Sequence, residues 1–506
     1  MMRDDNLIID CFAGGGGASV GIELALGRSV DIAVNHDPQA IRMHTVNHPK
    51  TLHLTEDIFE VDLQKYVGGR HVALMWASPD CTQFSKAKGG KPRISGIRML
   101  PWAVYKHAKA VQPDVIIMEN VEEIQQWGPL DETGRPIKDR MGEEYDRFVA
   151  AVRKLGYTFG CRELIAADYG APTTRKRWYA VFRRDGKPIV WPEQTHSKSR
   201  SVPGTKCWEP VWKYLDLMDL GKSIFGRKRP LAEKTMKRIA GGLDKFVFRN
   251  AEPFIMQIGY GERTGQSARV NSLHDPLGTI VGKQKHAYVS PMLIQYHSET
   301  TADPRGQVLS EPIRTIDTSN RYGLVSAFLT KFYKTGTGQS LVEPIHTITT
   351  SPGHFGQVSV LAVDWKHLQA AGIDAETAQK CTWVSQFIME YYGCGTGSSL
   401  NDPLHTIVTK DRFALITVMG NEYCIMDIFL RMLNPKELKR AQGFPEDYII
   451  GFDMEWKKMS IAEQVAKIGN SVSPPVARAL VKANCAHLIE GERKPIIDFE
   501  KLEKTG

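Results

Sequence analysis

Residues 7–26, which read LIIDCFAGGGGASVGIELAL, decide the fold. The apolar run at 7–12 is typical of a buried strand, four glycines follow, and residues 20–26 have a helical pattern. This order begins the nucleotide-binding unit of open α/β folds, because glycine lets the backbone approach a ligand closely and leaves the helix N-terminus facing it. A glycine turn alone is weak support for a cofactor, and a purely structural turn stays open.

A second decisive stretch is residues 72–85, VALMWASPDCTQFS. The apolar half predicts a buried strand, and Pro79 ends it because proline cannot donate to a strand ladder. We therefore expect Cys81 just beyond the carboxyl edge of a strand, where open α/β sheets place their chemistry. A small core residue is the alternative for any lone cysteine.

Two further segments carry charged side chains near strand ends. Residues 115–118 predict a buried strand that leads into Glu119, which would share a cleft with Cys81; capping a helix is the alternative. Arg175 and Arg177 end a predicted turn at 170–177 that leads into a predicted strand at 178–182, and because the two residues alternate, both side chains can point to one face. A solvated surface is the alternative for this basic pair.

The composition is that of an ordinary soluble protein, with 42% hydrophobic and 24% charged residues among 506. We expect no membrane span, because no apolar run approaches about 20 residues, and no secretory signal, because the N-terminus is polar. The eight scattered cysteines lack zinc spacing, so neither a bound metal nor a disulfide framework is expected, as for reduced thiols in a cytosol. A net charge of +8 permits a polyanionic partner such as nucleic acid.

The middle of the chain repeats a short motif four times. A β-rich segment precedes each copy, at 254–258, 292–296, 328–332 and 387–391. A period in the thirties indicates a repeated supersecondary unit, so we predict a β-rich domain in which four strand-pair units pack together. The copies are DPLGTI at 275–280, EPIRTI at 311–316, EPIHTI at 343–348 and DPLHTI at 402–407.

Six motifs in order make the chain resemble the cytosine-C5 DNA methyltransferases of bacteria and phages. The resemblance covers about residues 1–185 and 430–485. The motifs are FAGGGG at 12–17, PDCTQFS at 79–85, ENV at 119–121, RKR at 175–177, RML at 431–433 with QGFP at 442–445, and GNSV at 469–472.

The resemblance implies a doubly wound, Rossmann-like α/β methyltransferase domain, completed by the C-terminal helix, and a smaller β-rich target-recognition domain. It also implies S-adenosylmethionine as cofactor and methylation of C5 in double-stranded DNA. Cys81 would attack C6 of a flipped cytosine, Glu119 would share a proton with ring N3, Arg177 would hold O2, and Arg175 would contact a phosphate or support the cysteine. Its implied cofactor-binding residues are Phe12, Ala13, Gly14, Gly16, Gly17, Asn35, His36, Asp57, Ile58, Pro79, Asn470 and Val472.

The domain limits expected are 1–190 for catalysis and cofactor binding, 191–430 for target recognition, and 431–506 for a segment that returns to the catalytic domain. Helices are predicted at 435–441, 461–468 and from after Pro475 to 486, the last packing beside the helix that follows the first strand. We expect a cytoplasmic monomer.

The chain departs from the family pattern at three places. Extra residues surround Cys81, Thr173 replaces a glutamine before the arginine motif, and Asn35 stands where the family has a ribose-binding glutamate, with Asp37 as a possible substitute. His36 replaces an aromatic residue that stacks on adenine. Two alternatives therefore remain, namely the same chemistry on RNA, and a DNA-binding module with weak or no catalysis.

Overall fold

The computed structural model describes residues 5–80, 98–216, 219, 221–231, 427–494 and 496. It also describes strand backbones between 254 and 426 and the isolated positions 239, 379, 381, 383 and 384. Cys81 therefore lies outside the described residues. The chain forms two compact units: the first spans Met1–Cys207 and Gln442–Gly506, and the second spans Trp208–Ala441.

A seven-stranded sheet forms the centre of the first unit. Its strands are β1 (Leu7–Cys11), β2 (Ile32–Val34), β3 (Leu52–Leu54), β4 (Val72–Ala77), β5 (Val115–Asn120), β6 (Thr158–Ile165) and β7 (Lys176–Arg183). A separate short pair consists of β8 (His196–Ser197) and β9 (Lys206–Cys207).

The strand order of the large sheet is β3-β2-β1-β4-β5-β7-β6. Strands β1 to β5 are parallel, whereas β7 runs antiparallel to both β5 and β6. Because the chain moves outward from β1 in one direction and returns to its other side at β4, a crevice opens at the carboxyl ends of these two strands. The predicted doubly wound α/β fold is confirmed.

The helices are α1 (Gly17–Leu26), α2 (Pro38–Asn47), α3 (Leu63–Val67), α4 (Leu100–Val111), α5 (Glu143–Lys154), α6 (Pro435–Ala441), α7 (Ile461–Asn470) and α8 (Pro474–Cys485). Among the described residues, every helix is too short or too polar to cross a membrane. A capping box between Ser460 and Glu463 begins α7, which continues two residues beyond its predicted end.

The sheet carries a hydrophobic core on each face. Alternate residues of β1 enter different cores: Leu7 and Ile9 pack with side chains of α4 and α5, whereas Ile8 packs with side chains of α1 and α8. Ala477 of α8 lies so close to Gly21 of α1 that a Cβ on the glycine would be 2.4 Å from the alanine Cβ. The predicted packing of the C-terminal helix beside α1 is confirmed.

The second unit is rich in β-strands. They are β10 (Lys222–Ser223), β11 (Phe254–Gln257), β12 (Val270–Asn271), β13 (Ile280–Lys283), β14 (His286–Gln295), β15 (Gly306–Val308), β16 (Tyr322–Lys331), β17 (Gln339–Ser340), β18 (Thr347–Ser351), β19 (Phe355–Asp364), β20 (Val408–Lys410), β21 (Phe413–Val418) and β22 (Asn421–Met432).

Long antiparallel strands of this unit follow one another in the order β11-β14-β16-β19-β22. Residues 292–295 and 328–331 of two predicted segments form the ends of β14 and β16, and both strands begin six residues before the predicted segments. Two motif copies also contribute to strands, because Ile280 begins β13, Thr347 and Ile348 begin β18, and these two strands pair in parallel. The predicted segment 387–391 lies outside the described residues.

Candidate active site

The turn after β1 is held in an unusual backbone conformation. Phe12, Gly14 and Gly16 all have positive φ, at 64°, 52° and 79°. For a phenylalanine this left-handed conformation is strained, so the surroundings must hold it in place. The Ala13 amide donates to the Val34 carbonyl at 3.1 Å, which ties the turn to the end of β2.

Three of the four glycines are required by packing against residues near the C-terminus. A Cβ on Gly15 would lie 2.7 Å from the carbonyl oxygen of Lys467. One on Gly16 would lie 2.1 Å from the hydroxyl of Tyr448, and one on Gly17 would lie 2.1 Å from the carbonyl oxygen of Val472. Contacts within the protein therefore require glycine at these three positions, and the predicted requirement, close approach to a ligand, is not needed to explain them.

Gly14 is different, because a Cβ there would meet only the Phe12 carbonyl, at 3.6 Å. Phe12 and Gly14 are also half-buried, whereas Ala13 and the other glycines are buried. The backbone at Gly14 is therefore the part of this turn that a ligand can approach.

Polar groups at the end of β2 are already engaged with one another. The Asn35 side-chain oxygen accepts from the Asp37 amide at 2.8 Å, and Asp37 in turn caps α2 through the Gln39 amide at 2.9 Å. The other Asp37 oxygen forms an ion pair with Lys467. Both carboxylate oxygens of Asp37 are thus used, so Asp37 is poorly suited to replace the family's ribose-binding glutamate. The neighbouring His36 is exposed.

Asp57 and Ile58 lie in the turn after β3. An Asp57 oxygen accepts from the Phe59 amide at 2.7 Å, so this carboxylate caps the turn that follows. The Ile58 side chain is buried in the core, and its carbonyl accepts from His107 at 2.7 Å.

A side-chain hydrogen bond links the end of β5 to the segment that follows β4. The Asn120 side-chain amide donates to the Pro79 carbonyl at 3.0 Å, and both residues are buried. The Ser78 amide also donates to the Cys11 carbonyl at 3.3 Å. The chain that leads to Cys81 is therefore fixed beside the end of β5 up to Pro79.

Glu119 and the two predicted arginines form one buried cluster. An oxygen of Glu119 lies 3.3 Å from Nε of Arg177 and 3.6 Å from a terminal nitrogen of Arg175, and all three residues are at most 6% exposed. Because Glu119 pairs with Tyr179 in the sheet instead of starting a helix, the capping alternative is wrong.

The cluster has unused hydrogen-bonding capacity. Oε1 of Glu119 and Nε of Arg177 are buried, and although the two atoms are 3.3 Å apart, neither makes a hydrogen bond within the described part of the chain. A buried polar atom without a partner costs free energy, so a site of this kind favours a polar ligand that pairs with it. Two guanidinium groups around one carboxylate also leave a net positive charge in a region of low water content.

The model of the C-5 cytosine-specific DNA methylase family matches residues 7–318 and 372–485. The chain belongs to this family. The predicted resemblance and the predicted class, a DNA cytosine-5 methyltransferase, are therefore confirmed.

Several curated relatives are type II methyltransferases. M.AquIA of Picosynechococcus sp. is 29% identical over 201 residues, which cover 38% of this chain and 79% of that protein. M1.HphI of Haemophilus parahaemolyticus is 28% identical over 199 residues, covering 38% and 50%. M.SacI of Streptomyces achromogenes is 27% identical over 264 residues, covering 46% and 64%.

Solved structures resemble the methylase only remotely. A DNMT2 variant of Spodoptera frugiperda is 14% identical, with a TM-score of 0.44, over 95% of this chain and 99% of that one. The methyltransferase EhMeth of Entamoeba histolytica is 13% identical, with a TM-score of 0.44, over 96% and 100%. Likeness at this level says nothing about substrate.

The last two predicted cofactor residues of the methylase lie at the end of α7 and just after it. Asn470 is exposed at the end of this helix, whereas Val472 is buried and presents its carbonyl to Gly17. The segment after α7 therefore returns to the glycine turn as predicted. No group of His, Cys, Asp or Glu side chains suited to holding a metal occurs among the residues that the structure describes.

A buried polar chain behind the glycine turn was not anticipated from the sequence. Ser19 donates to Asp10 at 2.6 Å, Ser19 and His44 Nε2 are 2.9 Å apart, and His44 Nδ1 is 2.8 Å from His53. Burial raises the pKa of Asp10 to about 7 and lowers the pKa of His53 to about 4. Ser19 with Glu23, and His44 with His48, are each spaced to share one face of a helix. This spacing is a signal from which the polar contact between α1 and α2 could have been predicted.

Proposed function

We propose that this methylase modifies C5 of cytosine in double-stranded DNA, with Cys81 as the nucleophile that adds to C6 of a flipped base. The observation that carries this proposal is the buried cluster of Glu119, Arg175 and Arg177. It lies at the end of β5, beside the fixed chain that leads through Pro79 to Cys81.

Each group of the cluster has a task in such a reaction. The Cys81 thiolate forms a bond to C6, and the electron pair of the C5–C6 double bond moves into the ring toward N3. Glu119 shares a proton with N3, and Arg177 donates to O2, so that the added charge is stabilised. The electron pair would then return to C5, which would take the methyl group that the bound cofactor supplies, while the cofactor sulfur would keep the electron pair of the broken bond. Loss of the C5 proton to solvent would restore the C5–C6 double bond and release the Cys81 thiolate.

Arg175 has two candidate roles, a phosphate contact or support for the cysteine. Its side chain is 4% exposed and donates to the Gly469 carbonyl at 3.1 Å. A phosphate contact needs an accessible guanidinium group, so these observations favour the supporting role. A nearby cation also lowers the pKa of a cysteine thiol and increases its thiolate fraction.

The turn at Phe12, Ala13, Gly14, Gly16 and Gly17 fits S-adenosylmethionine, because Gly14 leaves its backbone open. When bound, S-adenosylmethionine supplies the methyl group. The remaining residues that would hold the cofactor surround the carboxyl ends of β1 to β4, and they are Asn35, His36, Asp57, Ile58, Pro79, Asn470 and Val472. The side chains of Ile58, Pro79 and Val472 are buried, so these three residues would act through their backbone.

Asn35 would hold the ribose by its amide nitrogen. Its oxygen must face the Asp37 amide, which needs an acceptor, so the NH₂ group is the end that remains for a ligand. A neutral donor contributes about 1 kcal/mol, where a charged partner contributes about 1.5–3 kcal/mol. We therefore expect weaker cofactor binding than a glutamate would give at this position.

Target recognition is assigned to residues 191–430 and catalysis to 1–190 with 431–506. Flipping the target cytosine costs a few kcal/mol of stacking and pairing, which phosphate contacts from basic side chains would offset.

We propose that the protein acts as a monomer in the cytoplasm, and that the enzyme that accompanies it is a restriction nuclease.

A methyl-transfer assay tests the proposal. The full chain is incubated with tritiated S-adenosylmethionine and either a long unmethylated DNA duplex or transfer RNA, and bisulfite sequencing then locates the modified cytosines. Label at C5 of cytosine in the duplex is expected, and it should vanish in Cys81→Ala. Cys207→Ala is the matched control, because Cys207 is exposed and far along the chain from the site motifs.

Two outcomes contradict the proposal in different ways. Label in the RNA alone would move the same chemistry to another substrate. Cofactor and DNA binding without label in either substrate would make the protein a catalytically inactive binding module.

A further inference from the structure

We propose that Tyr448 is a positioning residue for the glycine turn, residues 12–17. Its hydroxyl group holds the turn in the conformation that leaves Gly14 open to the cofactor. This inference rests on the proposed function, because it assumes that S-adenosylmethionine binds at the turn. Tyr448 itself would touch neither the cofactor nor the reacting atoms.

The contact between Tyr448 and the turn is direct. The hydroxyl donates to the Gly15 carbonyl at 2.9 Å, and the same oxygen occupies the space that a Cβ on Gly16 would need, 2.1 Å away. Tyr448 is 2% exposed, so water does not compete for this hydrogen bond. The side chain therefore fixes the peptide between Gly15 and Gly16 both by hydrogen bonding and by shape.

Tyr448 is in turn fixed by its own surroundings. Its ring packs against Phe444 with 4.8 Å between ring centroids, and its amide donates to the Pro445 carbonyl at 3.2 Å. A side chain held in this way loses little entropy when it makes its hydrogen bond. Burial raises the pKa of the Tyr448 hydroxyl far above its ordinary value, so the group remains a donor at every pH used for assays.

The turn needs such a partner because its own conformation is unfavourable. Phe12 occupies the left-handed region, which is unfavourable for a residue with a side chain, and strained backbone persists only when neighbouring groups over-determine it. If the hydroxyl were absent, the buried Gly15 carbonyl would lose this donor. The peptide would then turn to find another partner, and the backbone next to Gly14 would move with it.

Tyr448→Phe removes only the hydroxyl and retains the ring. Tyr157→Phe is the matched control, because Tyr157 is 3% exposed and its hydroxyl also donates to a backbone carbonyl, that of Pro113, at 2.6 Å. Both variants lose one buried hydrogen bond in the same unit, but Tyr157 lies away from the glycine turn. Loss of a buried hydrogen bond of this kind is expected to change an equilibrium constant by about tenfold.

The first measurement is hydrogen–deuterium exchange of the unliganded full chain, which does not depend on cofactor binding. Amides in the peptide that covers residues 12–17 should exchange about tenfold faster in Tyr448→Phe than in wild type. Their exchange rates in Tyr157→Phe should equal those in wild type. Equal exchange in wild type and Tyr448→Phe overturns the inference, whatever the cofactor proves to be.

The second measurement is binding of S-adenosylmethionine by calorimetry, together with steady-state kinetics. Tyr448→Phe should raise the Kd and KM for S-adenosylmethionine about tenfold and leave kcat at saturating cofactor within about twofold of wild type. Tyr157→Phe should leave all three constants unchanged. A Tyr448→Phe variant that is less stable but binds the cofactor like wild type has lost only structural support, which overturns the inference.

A rescue variant covers the case in which Tyr448→Phe does not fold. Replacing Tyr448 by p-aminophenylalanine retains the ring and offers an N–H donor in place of the O–H. Cofactor affinity within about threefold of wild type supports the inference, and affinity at least about tenfold weaker than that of wild type contradicts it. Wild type could fail to bind S-adenosylmethionine while the amides of residues 12–17 still exchange faster in Tyr448→Phe. That result would contradict the proposed function but support the positioning of the turn by Tyr448.

Discussion

Asp10→Asn should make the protein more stable than wild type, and by an amount that grows with pH. Asp10 is fully buried on β1, and burial raises its pKa from the ordinary 3.8 to about 7. The folded protein therefore keeps this proton to a higher pH than the unfolded chain does. Because Asp10 binds its proton more tightly in the folded state across this range, its contribution to the free energy of unfolding falls as pH rises from about 4 to about 7.

The magnitude follows from the size of the shift. The pKa moves by about three units, from 3.8 to about 7, and each unit is worth about 1.4 kcal/mol, so the ionised Asp10 costs up to about 4 kcal/mol above pH 7. Asparagine cannot ionise and avoids this cost. Part of the gain will be lost, because Ser19 donates a 2.6 Å hydrogen bond that is stronger to a carboxylate than to an amide.

Other titrating groups face Asp10 and must be separated from it. Burial lowers the pKa of His44 and His53, so these residues weaken the fold as pH falls below their ordinary value of 6.5, opposite to the effect of Asp10. Wild type alone therefore shows a mixture of both trends. The difference between Asp10→Asn and wild type at each pH isolates the contribution of Asp10.

The assay is urea denaturation followed by tryptophan fluorescence at half-unit steps from pH 5 to pH 8.5. Asp185→Asn is the control: although burial acts in the opposite direction, hydrogen bonds from Arg183 hold the pKa of Asp185 below its ordinary value. Its effect on stability should therefore be constant over this range. A difference between Asp10→Asn and wild type that stays flat, or shrinks as pH rises, would refute the assignment of a proton to Asp10.

Two other substitutions test the site and the turn. Glu119→Gln should lower kcat by about 10²–10⁴, because the amide cannot share a proton with the ring, and leave the calorimetric Kd for S-adenosylmethionine unchanged; a kcat within threefold of wild type would remove Glu119 from the chemistry. Gly17→Ala should lower the free energy of unfolding by about 1–3 kcal/mol, because its Cβ would lie 2.1 Å from the Val472 carbonyl oxygen. Gly14→Ala should cost about 1–2 kcal/mol of stability from its left-handed φ alone and should weaken cofactor binding, whereas Gly17→Ala acts chiefly on stability. Urea denaturation and calorimetry distinguish the two, and equal stability of Gly17→Ala and wild type would contradict the packing described.

The sequence predicts the central sheet well because its strands are continuous apolar runs. Strands β1, β4 and β5 are completely buried, and Phe12 with its positive φ follows β1, whereas Glu119 lies near the end of β5. The alternation of Arg175 and Arg177 likewise places both side chains beside Glu119. Local periodicity is sufficient for these features, since each depends on neighbours within a few residues.

Features that depend on distant partners could not be predicted in the same way. The reason for glycine at positions 15 to 17 lies in Tyr448, Lys467 and Val472, more than 400 residues away along the chain. The engagement of Asp37 with Lys467 is equally invisible to local patterns. The strands of the second unit are longer than the predicted segments, since β14 begins at His286.

The central claim is that one cysteine bonds to the target base, and mass spectrometry of a trapped complex tests it most directly. Duplex DNA made with 5-fluorodeoxycytidine in place of every deoxycytidine contains the target whatever its sequence. Because fluorine at C5 cannot leave as a proton does, the bond between sulfur and C6 persists. With S-adenosylmethionine present, a nucleotide adduct is predicted on the tryptic peptide that contains Cys81. An adduct on another cysteine, or none although DNA and cofactor both bind, would contradict the mechanism.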